Sequence, residues 1–240
     1  MKSYLINLEE DQTRLDFQVG QFHRLGLDFE RIEGCRDDRA EFSAFRWWCA
    51  VLRPVVKGEI GCALSHREIY RRMVERGETC AAVFEDDVRF SPQIGVALQL
   101  AETACRRNPK LVVLLGDHRR LKKGESLAAE GAPLNVVPEG HADCAEGYVL
   151  GIDAARALEA AQRRVRIPAD SWSYFRKKGW IELQRVSPPV TQQATDDYAS
   201  SLGRRYVVAE HGLFVRLWWK FRRVVGALVD CALDGGRRGW

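Results

Sequence analysis

The chain has 240 residues, 46% of them apolar and 29% charged, with 37 Lys and Arg against 33 Asp and Glu for a formal net charge of +4. That composition excludes a disordered tail and a fibrous repeat, and the length suffices for one substantial α/β domain with a real core. The seven cysteines, Cys35, Cys49, Cys62, Cys80, Cys105, Cys144 and Cys231, stand singly without a CxxC or CxxH pair, and no apolar h-region opens the chain. We expect reduced thiols in a cytosolic protein, with no zinc site.

Tyr4 to Leu8 is an apolar run suited to a buried strand, followed at once by Glu9, Glu10 and Asp11, acids that favour a helix N-terminus. Leu15, Val19, Phe22 and Leu25 then recur at helical spacing up to Gly26, a C-terminal stop. Phe29 to Ile32 reads as a second strand, and 34–57 as a long, partly helical loop. A helix is expected from Gly58 to Arg76, ended by Gly77, and Cys80 to Phe84 is a continuous apolar run of the kind that forms a strand buried on both faces. Leu98 to Arg107 reads as helix, Leu111 to Leu115 as a buried strand ending in Gly116-Asp117, and 119–131 as a polar, basic loop. Leu134 to Val137 and Gly147 to Leu150 are shorter strands, and Asp153 is a plausible N-cap for a helix through Arg164. Strands alternating with helices imply a mainly parallel sheet, whose ligands bind beyond the carboxyl ends of the strands, where Glu9, Glu85 to Asp87 and Asp117 would emerge.

The strongest local signal is Glu85-Asp86-Asp87 directly after an apolar strand, because three adjacent carboxylates repel one another unless a cation or solvent relieves them. In extended backbone Glu85 and Asp87 point the same way and can share one hard divalent ion, Mg²⁺ or Mn²⁺, with positions left open for phosphate oxygens. Asp86 would point elsewhere. The competing reading is a solvated turn with helix-capping acids.

Upstream, Gly58-Glu59-Ile60-Gly61-Cys62-Ala63-Leu64-Ser65-His66 opens the expected helix. This GEIGCALSH segment, followed by a strand ending in EDD at 85–87, resembles the pattern of glycosyltransferase family 25, known from bacterial lipopolysaccharide and lipooligosaccharide synthesis. The opening YLINL with Arg14 downstream, Phe29 to Gly34, AEGYVLGIDAARALEA, Pro168-Ala169-Asp170 and Ser187 to Gln193 agree with it in order, so the resemblance covers most of residues 3–200. It implies a single GT-A-like nucleotide-sugar-binding domain over 1–210 and an inverting hexosyl transfer, commonly of galactose from UDP-galactose. It also implies a divalent metal on Glu85 and Asp87, and donor contacts from Asn7, Leu8, Arg14, Ser65, His66 and Asp86. Before Gly147-Tyr148 the chain reads Asp143-Cys144-Ala145-Glu146, where relatives often carry a small hydroxyl residue and His.

An inverting transfer needs a base for the acceptor hydroxyl proton. Asp170 is the first choice, placed among Trp172, Tyr174 and Phe175 as a platform for a sugar ring; its alternative role is to cap the next helix, in competition with Ser171. Asp117 is the second choice. Two other readings stand beside the transferase: a metal-dependent nucleotidyltransferase, and a catalytically silent, membrane-associated glycan-binding or assembly protein.

Residues 211–240 hold six Lys and Arg against two Asp, so the first 210 residues are formally neutral, which argues against nucleic-acid binding. From Leu213 to Leu233 most positions are apolar, while Arg216, Lys220, Arg223 and Asp230 fall on one helical stripe. Too many charges interrupt the segment for a span of roughly 18 apolar residues. An amphipathic helix at an anionic membrane interface suits it, as does a helix docked on the core. The former would place the protein on the inner face of the cytoplasmic membrane, near a glycolipid or oligosaccharide acceptor.

Overall fold

The computed structural model describes residues 1–35, 57–116, 127–163, 165 and 167–194. Asp117 and the whole basic tail lie outside these residues, as do residues 36–56, which fall within the stretch expected to form a partly helical loop.

A seven-stranded mixed sheet in the order β2-β1-β3-β7-β5-β8-β6 forms the centre. Its strands are β1 (Lys2–Asn7), β2 (Glu30–Glu33), β3 (Cys80–Glu85), β5 (Leu111–Leu114), β6 (Asn135–Pro138), β7 (Gly147–Gly151) and β8 (Glu182–Ser187). β4 (Val88–Phe90) and β9 (Thr191–Gln193) pair antiparallel as a separate ribbon. β1 runs parallel to β2 and β3, and β5 parallel to β8, whereas β7 is antiparallel to both β3 and β5, and β6 to β8. Five strands therefore share one direction, as the alternation of strands and helices implies, and β7 and β6 are reversed. The reversal has a functional consequence: β7 brings its amino end, not its carboxyl end, to the edge where β1, β3 and β5 finish.

Side chains of β3 alternate between the two faces, as a strand must. Ala81 and Val83 pack with Ile69, Tyr70 and Met73 of α2 (Lys57–Arg76) and with Ala154, Ala155 and Leu158 of α4 (Ile152–Ala161). Cys80, Ala82 and Phe84 pack against Phe22 of α1 (Gln12–Arg24) and Ile94, Ala97, Leu98 and Ala101 of α3 (Ile94–Arg107). Both faces are dry, which is why 80–84 reads as an unbroken apolar run. Gly26 (φ +62°) and Gly77 (φ +65°) end α1 and α2 in the left-handed conformation that glycine adopts without strain.

Three local expectations are corrected. The buried face of α1 is Arg14, Gln18, Gln21 and Phe22, while Val19 is 48% exposed, because this helix packs on polar backbone around the acid triplet as well as on apolar core. Gly151, not Asp153, occupies the N-cap of α4; Asp153 lies in the first turn and accepts from Arg156 at 2.8 Å. Two of the three aromatics expected as a platform are core: Trp172 and Phe175 of the short α5 (Trp172–Lys177) are 0% and 1% exposed, since a three-residue helical separation puts both on the face that packs inward, while Tyr174 is half-buried.

Candidate active site

The acid triplet sits where β3 gives way to a turn, so its three carboxylates diverge. Glu85 ends the strand and keeps the odd-numbered orientation of Ala81 and Val83, toward α2. There its Oε1 lies 3.3 Å from His66 Nε2 and 3.7 Å from Cys62 Sγ. His66 is 1% exposed, and its Nδ1 lies 2.7 Å from the Tyr148 hydroxyl, itself 2.8 Å from that of Tyr70. Desolvation of the sulfur, and then the charge of Glu85, push the Cys62 thiol well above its usual pKa.

Asp86 does point elsewhere. Its Oδ2 accepts from Asn7 Nδ2 at 2.8 Å and its Oδ1 from Arg14 Nη1 at 3.1 Å, with all three residues buried. Asn7 Nδ2 also donates to the backbone oxygen of Asp11. The turn's backbone is held by two residues that sequence reasoning missed. Gln18 Nε2 donates to the oxygens of Asp86 and Val88, while Gln21 donates to Val88 and accepts from the Phe90 amide. Their signal in the sequence is the helical spacing of polar residues 14, 18 and 21, beside the apolar stripe of 15, 19, 22 and 25.

Asp87 is different again. Its Oδ2 accepts from Gln193 Nε2 of β9 at 2.9 Å, while Oδ1 is shielded from solvent and has no hydrogen-bond partner among the described residues. Desolvation, and then the charge of Glu85, push the Asp87 carboxyl up from the usual range. An anionic oxygen with neither water nor donor is costly, and a cation shared with the neighbouring carboxylate would relieve it. Carboxylate oxygens are the donors a hard divalent ion takes, and Glu85 lies near enough for its charge to act on Asp87.

Leu8 lies just after β1, half-buried, with its side chain against Gly34. Ser65 is 2% exposed; its hydroxyl donates to the Gly61 oxygen at 2.8 Å and accepts from the Cys35 amide at 2.8 Å, so it fastens the β2 exit to α2.

A cleft partly open to solvent lies at the carboxyl end of β3, lined by Glu59, Cys62 and Glu85 from one side and by Asp143, Cys144 and Glu146 from another. Pro168, Ala169, Asp170 and Gln193 complete it, so the structure brings Asp170, the expected base, and Glu85, an expected metal ligand, into one space. Asp170 is half-buried, and the N-cap of α5 is Ser171 rather than Asp170, which leaves the capping role to its neighbour. Glu146 enters because β7 is reversed; its carboxylate lies against Gly116, where a Cβ would collide with it. Among the described residues the lining is acidic, with five carboxylate residues and no Lys or Arg. No helix among the described residues is long and apolar enough to cross a membrane, and the described cysteines are all free thiols.

A family model described as Glycosyltransferase family 25 (LPS biosynthesis protein) matches residues 1–173. Among individual relatives, the Bos taurus protein "Probable inactive glycosyltransferase 25 family member 3" is 35% identical over 123 residues, 50% of this chain and 20% of that protein. "Glycosyltransferase 25 family member" of Anopheles gambiae is 28% identical over 225 residues, 82% of this chain and 38% of its own length. "Procollagen galactosyltransferase 2" of Mus musculus is 24% identical over 169 residues, 66% of this chain and 27% of its own length. The chain therefore spans between 20% and 38% of these three curated relatives. With the match running from β1 through Asp170, and so across every site residue named from the sequence, this chain belongs to glycosyltransferase family 25.

Proposed function

We propose that the cleft transfers a hexose, galactose in the first instance, from a UDP-sugar to a hydroxyl of a surface-glycan acceptor such as lipooligosaccharide, with inversion at the anomeric carbon. The observation that carries this reading is an acidic cleft holding Glu85, Asp170 and Gln193 together, with Gln193 donating to Asp87, whose Oδ1 is buried without a hydrogen-bond partner among the described residues. An acidic cleft repels a nucleoside diphosphate unless a cation stands between them, whereas it suits the neutral hydroxyls of a sugar. Glu85 and Asp87 would hold Mn²⁺ or Mg²⁺, and the ion would neutralise the diphosphate as it departs. Asp170 would take the acceptor hydroxyl proton while the new C–O bond forms and the bond to the phosphate oxygen breaks, releasing UDP. The buried Asn7–Asp86–Arg14 cluster supports this chemistry by fixing the turn that presents Asp87. Its bonds are made internally, so the donor-contact role expected for these residues would be exercised through the turn. The galactosyl choice draws on the name of the mouse relative.

The domain is proposed as GT-A-like over 1–210, and the 211–240 tail as an amphipathic anchor at an anionic cytoplasmic membrane surface. A second reading is favoured by the word inactive in the name of the bovine relative: a glycan-binding protein that transfers nothing. One assay separates the readings. The full chain is incubated with Mn²⁺, a panel of labelled nucleotide sugars and intact or delipidated lipooligosaccharide. Labelled acceptor with UDP release supports the transferase; transfer of a nucleotidyl group supports the nucleotidyltransferase; acceptor binding without any transfer supports the silent protein. In the transferase, chelator should abolish the labelling, and Asp87→Asn should lower it at least about a hundredfold.

A further inference from the structure

A cluster on the first turns of α2 is used only in part by the transferase reading. Cys62 and His66 stand four residues apart on α2, so both side chains reach the same place, one helical turn apart. Glu85 comes to them from β3 by strand alternation. The three ligand atoms, Cys62 Sγ, His66 Nε2 and a Glu85 carboxylate oxygen, all lie within 4.8 Å of one another.

The separations are informative. Sγ to Oε1 is 3.7 Å and Nε2 to Oε1 is 3.3 Å. The second is long for a hydrogen bond, whose N to O distance is usually about 2.9–3.0 Å. As edges of a coordination tetrahedron the two are apt, since metal bonds of about 2.0–2.3 Å place neighbouring ligands about 3.3–3.7 Å apart. His66 is also held as a ligand imidazole is held. Its Nδ1 is engaged by Tyr148, whose hydroxyl meets that of Tyr70, and the His66 and Tyr148 rings stack with centroids 5.7 Å apart. Such an outer partner fixes the tautomer and aims Nε2 at the ion. Cys62 and Glu85 line the cleft, so an ion has an entry path and an open fourth position.

We propose that Cys62 Sγ, His66 Nε2 and Glu85 Oε1 form a site for a thiophilic divalent cation of the Zn²⁺ type, distinct in its donor chemistry from the all-oxygen Glu85–Asp87 pair. Thiolate and imidazole select such ions over Mg²⁺ and Mn²⁺. On binding, the thiol proton passes to solvent, and Nε2 of His66 offers its lone pair to the ion while Nδ1 stays engaged with the Tyr148 hydroxyl. Because Glu85 belongs to both donor sets, an ion here would draw that carboxylate away from the hard-cation pair. That last consequence rests on the proposed transferase reading, whereas the binding itself does not.

The test is optical. The full chain, stripped with chelator and kept reduced, is titrated with Co²⁺. One equivalent should produce a thiolate-to-cobalt charge-transfer band in the near ultraviolet and visible bands of tetrahedral intensity, both bleached by Zn²⁺. Cys62→Ser should abolish the charge-transfer band and weaken Zn²⁺ binding by at least about tenfold, while Asp87→Asn should keep both. Absence of the band in the wild type, or its survival in Cys62→Ser, overturns the proposal. Should Cys62→Ser fail to fold, the wild type still decides: Zn²⁺ should slow alkylation of Cys62, read by peptide mass spectrometry against the other cysteines. Equal labelling with and without Zn²⁺ overturns it. A persistent cobalt band in a protein that transfers no sugar would sink the transferase reading and leave this one standing.

Discussion

The carboxamide of Asn7 donates to Oδ2 of Asp86 across 2.8 Å of buried space, tying the end of β1 to the turn after β3. With Arg14 on the other oxygen, both oxygens of the middle acid of the triplet are engaged inside the fold.

Adjacent aspartates should therefore respond oppositely to mutation. Asp86→Ala removes the carboxylate that Arg14 and Asn7 both bond in the interior and should cost about 3–5 kcal/mol of stability, the usual penalty for breaking a buried pair from one side. Asp87→Asn removes a desolvated charge next to Glu85 and should leave stability unchanged or slightly raised. Urea unfolding followed by circular dichroism measures both; similar losses in the two variants would contradict this division of labour.

Asp170→Asn preserves shape but removes the proton acceptor, so turnover should collapse by a factor of roughly 10² or more while UDP-sugar affinity stays nearly constant. Calorimetric donor binding set beside the rate distinguishes this from a folding defect. If Asp117→Asn behaves that way instead, the base is Asp117.

Acid should loosen the joint between β2 and α2. Glu30 accepts from Arg72 and Arg76 and pairs with Lys2, and these partners, Arg76 foremost, hold its pKa at about 2. A depressed carboxylate pKa stabilises fully above the unfolded value of about 4.3, and the stabilisation is lost as pH falls from there toward 2. Solvent screening limits the effect to about 1 kcal/mol or less. Thermal melts between these pH values should show a shallower acid limb for Glu30→Gln than for the wild type, and the difference should shrink in high salt.

Removing residues 212–240 should leave a folded domain that still acts on a soluble acceptor analogue, since every proposed site residue precedes the cut. Vesicle sedimentation should show binding to anionic lipid falling sharply. Replacing Arg216, Lys220, Arg222 and Arg223 by Gln should weaken it by roughly 1 kcal/mol per charge, and salt should mimic that loss. An insoluble truncation, with a full chain that ignores vesicles, would mean that the tail packs on the core.

The sequence by itself determined the main strands and helices from Tyr4 to Leu150, because an unbroken apolar run such as Cys80 to Phe84 is explained by a strand buried on both faces, and Gly26 and Gly77 mark the helix ends they terminate. It also determined the family, through GEIGCALSH and the acids after β3. It did not reveal β8, β9 or the small ribbon partner β4, whose mixed polar residues carry no strong period. Nor could it divide the work of the acid triplet. Extended backbone would aim Glu85 and Asp87 alike, but the chain turns after Glu85, and which oxygen is satisfied depends on Asn7, Arg14 and Gln193, up to 106 residues away. The Cys62, His66 and Glu85 cluster was invisible for the same reason. Two of its members share a helix, the third arrives on a strand, and no zinc spacing spans them. Local pattern fixes which residues can pair with water or with core; only the packing of distant elements decides which buried polar atoms find partners and which are left for a ligand.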